Sequence, residues 1–167
     1  MRIVDKEESI RWLLTKGISF QNAHSPSFRG LVKAIDFRIP VDSGRKTALS
    51  RALASLFEID DEALLWINEF GIWESCEDRN LFDRFRCSLG EHRPLQEKPG
   101  HIFSQSDLTD VTSLLAMILY FVWGAVLYSP AKGLAIEISH DEFILVFAKN
   151  RHDATKLAEE LKGYFKS

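Results

Sequence analysis

The sequence predicts an α+β fold. It reads as one domain over 1–167, in which an antiparallel sheet, made of a C-terminal three-stranded meander plus an N-terminal strand, packs against several helices. Three observations carry this. The last third of the chain is a series of apolar runs broken by turn residues, whereas the middle reads as capped amphipathic helices, so the two kinds of element are segregated. No repeat, linker or low-complexity tract divides the chain. Hydrophobic residues are 46% and charged residues 27% of 167 residues, which supplies one substantial core and argues against disorder.

The elements follow in order. Asp5 with Glu8 three residues later forms a capping box, Ile10, Leu13 and Leu14 make an apolar stripe, and Gly17 stops the helix. ISFQNAHSPSFRG is polar, is broken by Pro26 and Gly30, and reads as a loop. LVKAIDFRI places Leu31, Ile35 and Phe37 on one face, with Lys33 the exception, and is the N-terminal strand. Ser43 caps the next helix, whose inward stripe is Leu49, Leu53, Leu56 and Phe57. Asp60, Asp61 and Glu62 suit the positive end of a further helix that carries Ala63, Trp66, Ile67 and Phe70 inward and stops at Gly71. GIWES reads as a short edge strand. From Asn80, LFDRFRCSLG predicts a helix with Leu81, Phe82, Phe85 and Leu89 on one side and Asp83, Arg84 and Arg86 on the other. EHRPLQEKPGH is a loop whose Pro99-Gly100 pair favours a type II turn just before His101.

Residues 111–129 carry no charge and approach the roughly 20 residues that span a bilayer. Ser106 and Asp107 look like a helix cap, Gly124 offers a break, and no Lys or Arg flanks the entry side. A buried helix running into a buried strand is therefore expected, with no membrane partner. WGAVLYS, LAIEIS and EFILVFA then form the meander. LAIEIS alternates and is expected to be half-solvated; FILVFA does not and is expected inside the sheet. Asn150 caps a closing helix with Ala154, Leu157, Ala158, Leu161 and Phe165 inward.

Several function classes are disfavoured. A formal charge of −3 argues against phosphate-backbone binding, so no nucleic acid is expected. VDSGRKT lacks the Gly-x-x-x-x-Gly-Lys-Thr pattern of a phosphate loop, and no cofactor or metal motif is present. Cys76 and Cys87 form neither a C-x-x-C pair nor a disulfide framework, which fits two interior thiols in a reducing, cytoplasmic setting. The start has no apolar run after a basic region, so no signal peptide is expected.

Two polar clusters stand out as candidate sites. His140, Asp141 and Glu142 fall at a tight corner between strands, where turn chemistry alone accounts for Asp and His. A histidine beside carboxylates also suits a general base with an orienting partner. The loop from Glu91 to His101 offers His92, Arg93, Glu97 and His101, which with Arg84 and Arg86 would assemble an anion pocket; a plain solvated connection explains the same charges. Trp73 is either core or an interface anchor, and Cys87 lies beside Arg84 and Arg86.

Residues 71–103, with Gly-Ile-Trp, Asn80 before an aromatic-rich helix bearing Arg84, then Arg93, Glu97 and Pro-Gly-His, together with the later SHDEF, resemble an uncharacterised bacterial family. In general architecture the chain is similar to bacterial immunity proteins, small acidic α+β domains that neutralise a toxin partner. That likeness implies a protein partner and a surface made of Trp73, Asn80, Arg84, Arg93, Glu97, His101, His140, Asp141 and Glu142. The expected function is thus a protein-interaction module of inhibitor or immunity type, binding through an aromatic and arginine-centred patch. The alternative is a small hydrolase with His101 or His140 as base and Glu97, Asp141 or Glu142 as orienter or metal ligand, which requires both histidines in one cleft.

Overall fold

A computed structural model describes residues 1–22, 25–57 and 61–164. Among the described residues, nine strands and five α-helices run in chain order: β1 (Arg2–Val4), α1 (Lys6–Thr15), β2 (Ser19–Asn22), β3 (Ser25–Ser27), β4 (Val32–Arg38), α2 (Ser43–Ser55), β5 (Ala63–Glu69), α3 (Arg79–Ser88), β6 (Gly100–Phe103), α4 (Leu108–Phe121), β7 (Gly124–Ser129), β8 (Leu134–Ile138), β9 (Phe143–Ala148) and α5 (Arg151–Leu161). Seven strands form one antiparallel sheet in the order β1-β6-β5-β7-β8-β9-β4, and β2 pairs with β3 as a separate ribbon. The α+β class, the meander β7-β8-β9 and the N-terminal strand β4 beside it are as the sequence predicts.

Both faces of the sheet are covered, which explains where the sequence misleads. One face carries Leu65, Ile67, Leu127, Ile136, Ile144 and Val146 under α2, α4 and α5. The other carries Leu64, Trp66, Val126, Tyr128 and Ala135 under α1 and Phe20 and Phe28 of the β2–β3 region. Each fully buried aliphatic side chain stabilises the fold by about 1.5–3 kcal/mol. Because β5 is buried on both sides from Ala63 to Ile67, its residues do not alternate, and the run imitates a buried helix. The expected helix over this stretch is therefore a central strand. Asp61 accepts from the next amide, that of Glu62, and Asp60 lies outside the described residues.

Other differences have local causes. The expected loop from Ile18 contains the paired strands β2 and β3, with Phe20 opposite Pro26. Gly100 to Phe103 is strand β6, wholly buried between β1 and β5, rather than a turn. Gly100 is required there: a β-carbon would strike Ser9 of α1 and lie 2.7 Å from Val4 Cγ2. GIWES makes no strand; Glu74–Cys76 is a single 3-10 turn.

Two helix caps lie one and two residues ahead of the expected Ser43 and Asn80. Asp42 rather than Ser43 caps α2, and Asp78 caps α3 by accepting from the Leu81 amide. Asp5 and Asn150 cap α1 and α5 as expected. Ser104 and Asp107 form the box ahead of α4, where Asp107 also holds the N-terminal ammonium at 2.6 Å. On α3 the expected faces are partly exchanged: Leu81 is exposed, and Arg86 is only 1% exposed. Leu14 of α1 is likewise exposed, while Trp12 and Ser9 are buried. Cys76 and Cys87 are both exposed thiols, not interior ones. Phe165 lies outside the described residues, and Ala154 and Leu161 anchor α5. Among the described residues no helix is long and apolar enough to cross a membrane; the uncharged stretch divides between α4 and β7.

Candidate functional site

The two polar clusters of the sequence have opposite fates. His101 sits on β6 opposite Leu65, with no exposure, and among the described residues neither ring nitrogen has a hydrogen-bond partner. Burial, reinforced by the nearby Arg86 charge and only partly offset by the backbone of Leu65 and Pro99, pushes its pKa down to about 3. It is a neutral interior group. Arg86 reaches the same interior from α3 and donates to the carbonyls of Arg93 at 3.0 Å and Lys98 at 2.7 Å, tying the loop after α3 to the helix. Glu91 is buried and clasped by Arg93 through its backbone amide, Nε and Nη2 at 2.6–2.8 Å. The Arg93 guanidinium holds the Glu91 carboxyl down at about 2. The anion pocket expected from this loop is not formed: its guanidiniums are spent on carbonyls and on Glu91, while Arg84, His92 and Glu97 point to solvent.

At the other end of β5 the chain builds an open corner. Glu69, the last residue of β5, pairs with Gly124, whose missing side chain leaves room for the carboxylate. Glu69 Oε2 lies 2.7 Å from His140 Nδ1 in the β8–β9 turn. This contact fixes the imidazole and leaves Nε2 as its second functional atom. Nε2 is 3.6 Å from Asp141 Oδ1, beyond hydrogen-bond range. Trp73 donates its indole N–H to the His140 carbonyl at 3.1 Å, yet it remains 48% exposed beside Ile72, 47% exposed. Trp73, Cys76, Val122, His140, Asp141 and Glu142 line one pocket of about 370 Å³, a volume within the range of ligand sites.

The backbone of this corner is strained. Among the described residues, two non-glycine positions have positive φ, Val122 at 55° and Glu142 at 65°, and both line this pocket. A left-handed β-branched residue is a conformational outlier, and such positions cost about 1–3 kcal/mol and gather at functional sites. Val122 ends α4 so that the chain enters β7 without a linker; its amide still bonds the Ile118 carbonyl. In the β8–β9 turn the left-handed residue is Glu142, not the expected Asp or His. Behind the corner, burial first and the Glu69 charge second raise the Glu137 carboxyl above its ordinary range.

The corner thus gathers four of the residues singled out in the sequence: Trp73, His140, Asp141 and Glu142. It excludes His101, whose partner Leu65 is four residues from Glu69 along β5, roughly 13 Å at strand spacing. Arg93 and Glu97 stay on the loop anchored by Arg86, Asn80 lies beside a separate acidic hollow at the start of α3, and Arg84 is exposed on that helix. Sequence reasoning missed Glu69, Cys76 and Val122. Only the Gly71 stop, two residues beyond Glu69, hinted that an element ends there. Among the described residues no group of three or more His, Cys, Asp or Glu side chains could hold a metal ion. Comparison with protein-family models, with curated proteins and with solved structures gives no match for this chain.

Proposed function

We propose that the protein is a protein-interaction module, of the inhibitor or immunity kind, that docks its partner on the corner built around Trp73. The observation that carries this reading is an aromatic side chain held outward. Trp73 is half exposed, yet its indole N–H is tied to the His140 carbonyl, so its ring is presented with little rotamer freedom left to lose. Buried-on-binding tryptophans dominate interface energetics, and preorganisation removes part of the entropic cost of docking. Ile72 beside it extends the apolar centre, and Asp141 and Glu142 give a polar rim.

Site-specific photocrosslinking in cells tests the reading. A photoreactive residue at position 72 (Ile72→p-benzoylphenylalanine) is expected to give one discrete adduct, and the same residue at the exposed His92 none. Adducts from position 92 alone, or from neither position, contradict it.

A second reading is favoured by the His140–Glu69 contact. Glu69 orients the imidazole through Nδ1, and His140 lines a pocket together with the exposed Cys76. A base held by a carboxylate near a thiol suits acyl transfer and hydrolysis. This version of the hydrolase uses His140 without His101. Turnover of a p-nitrophenyl ester that disappears in both Cys76→Ala and His140→Ala would support it; equal rates in the variants would remove it.

A further inference from the structure

We infer that the partner segment seated on this corner is a basic polypeptide, rich in Arg or Lys; the inference rests on the interaction reading above and specifies the partner's chemistry. The stretches that build the corner, 68–78, 121–125 and 138–143, contain no Lys or Arg. Glu69, Glu74, Glu77, Asp78, Asp141 and Glu142 stand on them, and two arginines at their margins are engaged. Arg79 is held by Glu77 at 3.1 Å, and the Arg38 guanidinium stacks 5.2 Å from the centre of the Phe143 ring. Glu74, Asp141 and Glu142 are exposed beside Trp73, and the Asp141 side chain is 72% exposed, 3.6 Å from His140 Nε2.

An apolar centre ringed by unneutralised carboxylates complements a cationic segment in two ways. The carboxylates draw it in over a Debye length of about 10 Å at 0.1 M salt. The exposed face of the Trp73 ring accepts a guanidinium or ammonium by cation–π contact once it arrives. The same surface repels acidic segments, which gives specificity as well as attraction.

The probe is a synthetic arginine- and leucine-containing nonapeptide, with glutamate- and glutamine-substituted versions of it, titrated into the intact protein labelled with nitrogen-15. The arginine peptide is expected to shift the Trp73 indole N–H and the amides of 72–78 and 139–142. Its affinity should fall at least tenfold between 20 and 300 mM salt, and the glutamate peptide should leave those signals still. A double reversal, Glu74→Lys with Asp141→Lys, should weaken the arginine peptide about tenfold while the indole signal stays in place. Shifts from the glutamine peptide of equal size, salt-independent binding, or an unmoved Trp73 signal at millimolar arginine peptide each overturn the inference. The two claims fail separately. If the cellular adduct at position 72 persists in the charge-reversed protein, docking at Trp73 stands and the basic partner falls; if no adduct forms at position 72, the docking reading itself falls.

Discussion

Two histidines, His101 and His140, each lie near charged groups, and the contrast between them separates structure from function in this molecule. His101 is sealed between β1 and β5 with Arg86 close by, so burial denies it a charge and its surroundings are committed to holding a loop. His140 lines a pocket with a carboxylate fixing one nitrogen, and its side chain stays 27% exposed. An ionisable group without water or ligand access can only organise packing, however catalytic its neighbours look in the sequence. One with a fixed orientation and an open side can meet a partner.

The largest expected effect breaks the sealed side. Arg86→Ala leaves the Arg93 and Lys98 carbonyls without their charged donor and opens a cavity behind the loop, and should lower unfolding free energy by about 3–5 kcal/mol in urea titration. Loss below ~1 kcal/mol would mean that the loop does not depend on it.

Next in size is the pH dependence set by His101. Its folded pKa, about 3, lies below the ordinary 6.5. Below pH 6.5 the unfolded chain therefore takes up a proton that the folded chain refuses. Stability should fall as pH drops through the window from 6.5 to 3, at about 1.4 kcal/mol per unit. Glu91, held at about 2 against 4.5, adds its own loss only below pH 4.5, while Glu137, raised above the ordinary range, acts in the opposite sense, so in the interval from 6.5 to 5 the histidine's share is the slope that its substitution removes. His101→Leu should flatten that interval while changing neutral-pH stability by less than ~1.5 kcal/mol. A slope that survives the substitution would place its origin elsewhere.

On the open side the changes are smaller in stability. Glu142→Gly relieves a left-handed backbone and should raise the unfolding free energy by up to ~1 kcal/mol; a loss of stability would mean that the strain there is not real. Glu69→Gln, which weakens a partly exposed pair with His140, should cost less than ~1 kcal/mol.

The sequence made legible what is locally encoded. Caps at Asp5 and Asn150 and the turns of the meander announce α1, α5 and β7-β8-β9 because the signals lie within a few residues of one another. Strand β5 was illegible because burial on two faces erases alternation, and β6 because Gly100 and His101 resemble turn residues until α1 is packed on them. Arg86 was placed outside because charge is the usual mark of a solvated face; its carbonyl partners lie in a loop whose path the sequence does not give. Four corner residues were picked out from composition and turn chemistry, but their meeting was not. The Trp73–His140 and Glu69–His140 contacts join positions 67 and 71 residues apart, across strands whose order no local pattern reveals.

The most direct test sets the two sides against each other in one assay: the affinity of the purified crosslinked partner for Trp73→Ala and for Arg93→Ala. The account predicts a loss of at least thirtyfold for Trp73→Ala, about 2 kcal/mol, with unchanged thermal unfolding, and no loss for Arg93→Ala once both are shown to be folded. Weakened binding in a folded Arg93→Ala alongside full affinity in Trp73→Ala would contradict it.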